Sequence, residues 1–374
     1  MVEALARTNL DILQKTLGAE KPKDELICGL WESCLAGEGR AIKATPLRTV
    51  FQASFASEEF VLKICHPQRP GDLWRNLIRK PPAIREATRA REFAKLFGKG
   101  AESFATAVGE QVTASFGLAA RPWLDGISGR SISPEALGQG LAKLHEIGWR
   151  DADVSPQDLL YVGNQTLLPL DFGQTRFVRP NHQPSLEKDL LRLLTTFSNQ
   201  EASLKGPTMV QTHAEILGCN WDTELLLAKA RKIRLRTTWR QSGICLRESE
   251  DFEKTKFGFR RRHQSGGKEF SFVAPSGRLA YRRFFWLEQL HIPVPHVVSY
   301  RKEGSAEVIA MARFPDGEIP VEAQLQDLRE HLRIQGLDLK PFLADDFRLQ
   351  GNRPTLVATE RLIRLKAGDL AATK

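Results

Sequence analysis

The chain has 374 residues, of which 41% are hydrophobic and 26% charged, so it can bury a sizeable apolar core and is not a disordered polymer. Its formal net charge of +9 favours anionic partners, but no RNA- or DNA-binding motif accompanies it, and we expect no nucleic acid partner. Nowhere do about 18 apolar residues run together, and no signal-peptide core follows Met1, so we expect a soluble, cytoplasmic protein.

The first elements in chain order are a hairpin, a helix and a further β-rich stretch. Two β-rich runs on either side of a short polar turn predict the hairpin over residues 48–65. Pro81-Pro82 opens a helix over about residues 83–96, which Gly98 ends. A second β-rich stretch is expected over residues 104–120.

A second helix and a loop follow in the middle of the chain. The helix is expected from Ser133-Pro134-Glu135 to Gly148, because leucines recur there at helical spacing. A polar loop, two short apolar strands and the tripeptide Asp171-Phe172-Gly173 come next. After further helical segments the chain becomes strongly basic near residues 231–240, where we expect a domain boundary.

Three carboxylates in this middle region form the most informative pattern of the sequence. Asp153 and Asp158 lie five residues apart in the polar loop, and Asp171 follows the second short strand. A helix, a loop with two carboxylates, a hairpin and a third carboxylate suit phosphoryl transfer. The first carboxylate can accept the proton of an incoming hydroxyl, and the other two can hold Mg²⁺ against a triphosphate.

This pattern resembles the protein-kinase-like fold, whose catalytic loop reads His-Arg-Asp, with an Asn after it and Asp-Phe-Gly beyond. The resemblance implies that Asp153 is the catalytic base, that Asp158 fills the metal-binding Asn position and that Asp171 is the principal Mg²⁺ ligand. ATP is the implied phosphoryl donor. Asp158 adds a charge that Asn lacks, and Asp151-Ala152 replaces the His-Arg pair, so the loop must be braced differently.

Lys63, at the end of an apolar strand, is the expected phosphate-binding residue. A lysine that points from a buried strand needs a counter-charge, and the resemblance supplies the ATP α- and β-phosphates and a helix glutamate. We favour Glu86 over Glu92 as that partner, while an exposed edge-strand lysine and a solvated glutamate remain the alternatives. No Gly-x-Gly-x-x-Gly loop precedes Lys63, which argues against an ordinary protein kinase.

A closer likeness is to the lipopolysaccharide core kinases, the Kdo and heptose kinase family. It covers about residues 40–200 and rests on a Thr- and Arg-rich hairpin, a basic stretch, an Arg-Glu helix and a Lys-Asp-Leu motif after Asp171. The corresponding segments here are Leu47-Arg-Thr-Val-Phe-Gln52, Leu73-Trp-Arg-Asn-Leu-Ile-Arg-Lys-Pro81, Ile84-Arg-Glu86 and Lys188-Asp-Leu190. The likeness implies a sugar hydroxyl as acceptor and a bracing role for Asp189.

Part of the pattern recurs at an offset of 188 residues. Leu144-His-Glu-Ile-Gly148 aligns with Leu332-Arg-Ile-Gln-Gly336, and Asp158 aligns with Asp346. The chemistry is not retained in this second copy: Pro341 stands for Asp153, Thr359-Glu360-Arg361 for the Asp-Phe-Gly tripeptide, Arg283 for the helix glutamate and Val273 for Lys63. We interpret the copy as pseudokinase-like, with coincidental similarity of two α+β segments as the alternative.

The expected fold is therefore α+β: a bilobal kinase-like domain over residues 1–240, with lobes of about 1–122 and 123–240, then a degenerate, truncated kinase-like domain over 241–374. The expected function is ATP- and Mg²⁺-dependent phosphorylation of a sugar hydroxyl on an anionic envelope glycolipid, with peripheral contact at the inner membrane. A small-molecule or protein acceptor, or a non-catalytic scaffold, are the alternatives.

Overall fold

The computed structural model describes residues 2–18, 20–45, 48–66, 80–113, 116–163, 166–180, 183–248, 252–255, 258–261, 270–273, 276–303, 305–311, 318–350, 353–359 and 362–364. The basic stretch at residues 73–79 lies outside them. Two compact units divide the chain, one of Met1–Thr196 with Thr208–Trp221 and the other of Phe197–Pro207 with Asp222–Lys374. Within the described ranges, no helix is both long and apolar enough to cross a bilayer.

The first unit opens with two helices and an antiparallel sheet. The helices are α1 (Val2–Leu17) and α2 (Glu25–Ala36). The sheet has the strand order β1-β2-β3-β5-β4, and its strands are β1 (Arg40–Thr45), β2 (Arg48–Phe55), β3 (Glu58–Cys65), β4 (Val108–Thr113) and β5 (Phe116–Pro122). The predicted hairpin is thus β2–β3, with Val50 opposite Lys63.

The two faces of this sheet differ in chemistry because strand side chains alternate between them. One face is apolar and packs on α1 and α2, through residues such as Phe51, Leu62 and Leu118. The other face carries the intervening residues, among them Val50 and Lys63. Covering the apolar face with α1 and α2 leaves the face of Lys63 for a site.

A helix and a set of short elements complete the part of the first unit that positions the site. Helix α3 (Pro82–Phe97) packs on β4 and β5, where Gly109 and Gly117 leave no room for a Cβ beside Ala83. A short 3₁₀ turn spans Glu102–Thr106, so the stretch expected to be β-rich from residue 104 begins as a strand only at Val108.

The rest of the first unit follows in chain order from β6 (Ile127–Ser128) and α4 (Pro134–Glu146). Next come β7 (Trp149–Asp151), a 3₁₀ turn (Pro156–Asp158), β8 (Leu159–Val162), β9 (Thr166–Pro169), β10 (Thr175–Phe177), α5 (Gln183–Thr196) and α6 (Asn199–Leu217), the last of which contributes residues to both units. Strands β6, β8 and β9 form one small sheet, and β7 pairs with β10.

The second unit contains a long helix, a sheet and a further run of short elements. They are α7 (Thr223–Glu248), β11 (Phe252–Thr255), β12 (Gly258–Arg261), β13 (Phe270–Val273), α8 (Gly277–Gln289), β14 (Val297–Glu303), β15 (Ala306–Met311), α9 (Glu322–Ile334), β16 (Leu337–Leu339), a 3₁₀ turn (Ala344–Asp346), β17 (Phe347–Gln350), β18 (Arg353–Leu356) and β19 (Leu362–Arg364). The compact units part at residue 222, earlier than the expected boundary at 240, because α7 runs through that position as one helix packed on α8.

Elements of the second unit follow those of the first at a nearly constant offset. Helix α9, strand β16, the 3₁₀ turn and β17 lie 188 residues after α4, β7, their 3₁₀ turn and β8. Gly148 and Gly336, the turn residues after the two helices, have φ of 80° and 78°, a left-handed conformation that favours glycine. The sheet order β11-β12-β14-β15-β13 differs, since β13 pairs with β15 at the sheet edge rather than with β12.

Candidate active site

Lys63 lies on the sheet face that α3 covers, and its side chain is buried. Its Nζ forms an ion pair with the Glu86 carboxylate on α3 and donates to the Leu170 carbonyl oxygen at 3.1 Å. Glu86 is buried as well, beside small residues such as Ala87 that allow the helix to approach the strand. Glu92 does not reach Lys63 and instead lines a separate cavity together with Arg89.

Asp171 lies next to this pair and gathers positive charge from two sides. Its Oδ1 is 3.8 Å from Lys63 Nζ and accepts a 2.8 Å hydrogen bond from the Gly173 N–H, while Oδ2 is 2.5 Å from Arg48 Nη1. Burial alone would raise the pKa of Asp171, but the charges of Lys63 and Arg48 outweigh it and hold that pKa below its ordinary range. The carboxylate therefore stays ionised, as a cation ligand must.

The residue after Asp171 fixes this segment against the sheet lobe. Phe172 is fully buried, with its ring centroid 5.4 Å from that of Phe93 on α3 and 5.3 Å from that of Phe104. Arg121, on β5, lies with its guanidinium 5.6 Å from the Phe104 ring centroid. Burial lowers the pKa of Arg121 to about 10, so the group remains a cation at neutral pH.

The loop before Asp153 is braced by the residues that replace the His-Arg pair. Asp151 accepts hydrogen bonds from the Thr175 hydroxyl at 2.7 Å and from the Asp153 N–H at 2.8 Å. Arg150 is fully buried and donates from Nη1 to the His145 carbonyl at 3.2 Å. Burial raises the pKa of Asp151 to about 6, although both hydrogen bonds favour its charged form.

Asp189 supports the same loop from α5. Its carboxylate accepts a hydrogen bond from the Asp151 N–H and lies 3.4 Å from His145 Nε2. Burial raises the pKa of Asp189 to about 7, with Arg150 acting against it, and burial holds the pKa of His145 well below its ordinary value. A bracing role for Asp189, implied by the family likeness, fits these contacts.

Asp153 and Asp158 occupy different environments. Asp153 is exposed, and its carboxylate forms an ion pair with Arg192 on α5. Asp158 accepts a 2.6 Å hydrogen bond from the Ser155 hydroxyl, and its carbonyl accepts one from the Leu170 N–H at 2.7 Å. That main-chain bond ties the loop of Asp158 to the residue immediately before Asp171.

A magnesium ion and a nucleotide phosphate chain suit this set of groups. Mg²⁺ is usually held by one or two carboxylates and by substrate phosphates rather than by a full protein cage. The described residues contain no cluster of three or more His, Cys, Asp or Glu, which agrees with a site of that open kind. Asp171 and Asp158 offer carboxylate oxygens, and Lys63 offers a cation for phosphate oxygens.

Sequence reasoning missed several side chains of the site. Arg48 and Arg192 have no local signal, because each pairs with a carboxylate that is distant in the chain, at separations of 123 and 39 residues. Asp151 could have been found, since it lies two residues before Asp153, a spacing at which an Asp side chain commonly accepts a backbone N–H.

Comparison with known proteins gives structural neighbours only. No family model matches the chain, and no curated protein matches it in sequence. Its structure is similar to WaaP in complex with acyl carrier protein, with a TM-score of 0.37 and 12% identity over 60% of this chain and 95% of that one. It is also similar to a spectinomycin phosphotransferase bound to ADP and spectinomycin, with a TM-score of 0.38 and 12% identity over 57% and 84% of the two chains.

A third neighbour is an aminoglycoside phosphotransferase in a complex with AMP-PNP and hygromycin B, with a TM-score of 0.37 and 9% identity over 63% of this chain and 92% of that one. Identities this low leave the ligands of the present chain open. The fold class follows from its own elements: an antiparallel sheet with a lysine–glutamate pair to α3, then α4, the carboxylate loop, the β8–β9 hairpin and Asp171. The predicted α+β class is confirmed, and the first unit has the bilobal protein-kinase-like fold.

Proposed function

We propose that the first unit is an ATP- and Mg²⁺-dependent phosphotransferase that acts on a hydroxyl group. The observation that carries the proposal is the buried pair of Lys63 and Glu86 beside the ionised Asp171. Burying an ion pair is costly unless it serves a purpose, and a pair replaceable by apolar residues adds little to stability. Binding and orienting a polyphosphate is a purpose that accounts for all three groups.

Each side chain has a defined part in this reaction. Lys63, oriented by Glu86, binds phosphate oxygens, while Asp171 and Asp158 hold the metal ion, which supplies neutralisation of charge on the triphosphate. Asp153 lies exposed at the opposite side of the loop, where it can hydrogen bond an incoming hydroxyl and take its proton. Asp151 keeps the main chain of Asp153 in place through the 2.8 Å hydrogen bond.

For the acceptor, we propose a sugar hydroxyl of lipopolysaccharide core or a related envelope glycolipid, reached at the cytoplasmic face of the inner membrane. The sequence likeness to the lipopolysaccharide core kinases supports this choice. The net charge of +9 supports an anionic substrate, and Arg192 places a cation directly at the exposed Asp153.

The transfer step is tested with ATP labelled on its γ-phosphate and lipopolysaccharide core oligosaccharide as acceptor. Asp153→Asn is expected to lower the rate by about 10²- to 10⁴-fold while nucleotide binding is retained, because only proton transfer is removed. Asp345→Asn, an exposed acid-to-amide change in the corresponding 3₁₀ turn of the second unit, is the control and should have no effect. Full activity of Asp153→Asn would contradict the assigned role.

Metal dependence is tested separately by calorimetry of ATP binding with and without Mg²⁺. Binding should require Mg²⁺ in the wild type and weaken in Asp171→Ala. If the wild type binds no nucleotide, a non-catalytic scaffold becomes the better explanation. If it binds ATP but labels a small molecule or a protein instead of the oligosaccharide, the enzyme class stands and the acceptor proposal is wrong.

A further inference from the structure

Arg48 belongs to the same sheet face as Lys63. It is the first residue of β2, two residues before Val50, which lies opposite Lys63 in the β2–β3 register. Because side chains two apart on a strand share a face, Arg48 and Lys63 project to the same side, and both reach the Asp171 carboxylate. The site therefore has a second cation next to the expected phosphate-binding lysine.

The main chain that carries Arg48 is held from the other face of the sheet. Asn9, a buried residue of α1, donates from Nδ2 to the Thr45 carbonyl at 3.2 Å and to the Thr49 hydroxyl at 2.8 Å. The Arg48 N–H in turn donates to the Thr45 hydroxyl at 3.0 Å. These contacts hold both sides of the β1–β2 connection, so the start of the Arg48 side chain is positioned while its long stem can still move.

The contact between Arg48 and Asp171 conflicts with the proposed use of Asp171. Arg48 occupies Oδ2, and Gly173 and Lys63 lie against Oδ1, so both oxygens already have partners. A metal ion on Asp171 would compete with the guanidinium for Oδ2. Once displaced, the half-buried guanidinium needs another anion, since an unpaired charge at such a position is costly.

We propose that Arg48 moves from Asp171 onto the β- and γ-phosphates when a metal–nucleotide complex binds, and so supplies phosphate contacts at a position where the sequence lacks a glycine-rich loop. The inference rests on the proposed function. Arginine suits this role because its planar guanidinium can bind two phosphate oxygens at once. In the nucleotide-free protein the Asp171 carboxylate holds the guanidinium in reserve, within reach of the site.

The test is calorimetric titration of the full-length protein with ATP, ADP and AMP in the presence of Mg²⁺. Loss of hydrogen bonds to charged oxygens predicts that Arg48→Gln weakens ATP binding by about 10- to 100-fold, and ADP binding by less. Affinity for AMP should stay within about twofold, since AMP lacks both phosphates. Arg48→Lys keeps the charge and should recover part of the lost affinity.

Arg91→Gln is the matched control, because Arg91 is exposed on α3 and the substitution removes the same charge. It should leave all three affinities unchanged, and thermal unfolding should show that Arg48→Gln remains folded. Equal or tighter ATP binding by Arg48→Gln would overturn the inference and leave Arg48 as a simple competitor for Asp171. Absence of nucleotide binding in the wild type would instead overturn the proposed function itself.

Discussion

The first and second units use the same local backbone to different ends. Each has a helix, a glycine turn, a short strand, a 3₁₀ turn, a hairpin and a last strand that pairs back, as in β7 with β10 and β16 with β19. A main-chain hydrogen bond also recurs: Leu170 N–H to the Asp158 carbonyl at 2.7 Å, and Val357 N–H to the Asp346 carbonyl at 2.8 Å. Apolar packing and main-chain bonds are sufficient to build this arrangement.

The charged groups of the first unit are not needed for that backbone. In the second unit Arg283 of α8 donates to the Thr359 carbonyl at 3.0 Å, so a cation reaches the main chain after β18, much as Lys63 reaches Leu170 after β9. No carboxylate equivalent to Asp171 follows: β18 lies 187 residues after β9, which puts Ala358 at that position. The comparison separates what builds the fold from what the site requires.

This register corrects the alignment expected from the sequence. An offset of 188 throughout would place Thr359 opposite Asp171, but three residues separate β8 from β9 and two separate β17 from β18. The shorter connection shifts everything after it by one residue. Neither Ala358 nor Thr359 has a carboxylate to hold a metal ion, so the conclusion that this copy lacks the metal ligand is unaffected.

The largest expected effect concerns the buried pair that sets the two units apart. Lys63→Met leaves the Glu86 carboxylate buried without its main partner, and should destabilise the first unit by about 3–5 kcal/mol. Adding Glu86→Leu, which makes both positions apolar, should restore most of that loss without restoring nucleotide binding. Urea unfolding of both variants and the wild type measures the stabilities, and calorimetry measures ATP binding.

An unchanged free energy of unfolding in Lys63→Met would mean that Arg121 or water compensates Glu86. A double variant that binds ATP as tightly as the wild type would contradict the role of Lys63. Lys95→Met, an exposed change on α3, controls for the substitution itself.

A second expected effect is a pH dependence confined to the first unit, because Asp189 lies on α5, to which no element in the described part of the second unit corresponds. Burial raises the pKa of Asp189 from an ordinary 3.8 to about 7 in the folded protein. Between those values the folded chain holds a proton that the unfolded chain releases, so this group lowers stability as pH rises, by up to about 1.4 kcal/mol per unit.

Asp189→Asn removes this dependence. Relative to the wild type, the variant should gain stability as pH rises from 4 to 7, since amide and protonated acid are alike at low pH. His145 and His213 titrate with the opposite sign, because burial lowers both their pKa values, but the comparison of variant with wild type removes most of their contribution. Denaturant unfolding at several pH values measures the difference, and a constant difference would show that Asp189 is ionised throughout.

Much of the fold could be predicted because its signals are local. Pro81-Pro82 and Gly98 bound α3 within a residue or two of the expected limits, and β2, β3, β8 and α4 lie where their patterns indicated. Helices α1 and α2 were not predicted, although Ala6, Leu10, Leu13 and Leu17 have the spacing of a buried helix face. The boundary at 240 was misplaced since basic residues of α7 lie on a continuous helix.

The site was less accessible to sequence reasoning. The three aspartates and Lys63 could be proposed from spacing and resemblance, but their environments could not. Whether Glu86 or Glu92 faces Lys63 depends on how α3 is rotated against β3 and on the close approach at Gly109. The Arg48–Asp171 contact joins residues 123 apart and depends on how the sheet meets the later loop, which no local pattern encodes.

The smallest expected effect tests whether the second unit takes part in nucleotide binding. Arg283→Met keeps most of the aliphatic stem but removes the hydrogen bond to the Thr359 carbonyl, and should cost the second unit about 1 kcal/mol. ATP affinity should not change, because the residues proposed to bind nucleotide all lie in the first unit. Lys302→Met, at an exposed position on β14, is the control. Thermal unfolding and calorimetry give the two readouts, and a clear loss of ATP affinity in Arg283→Met alone would make the second unit a contributor to the site rather than an independent fold.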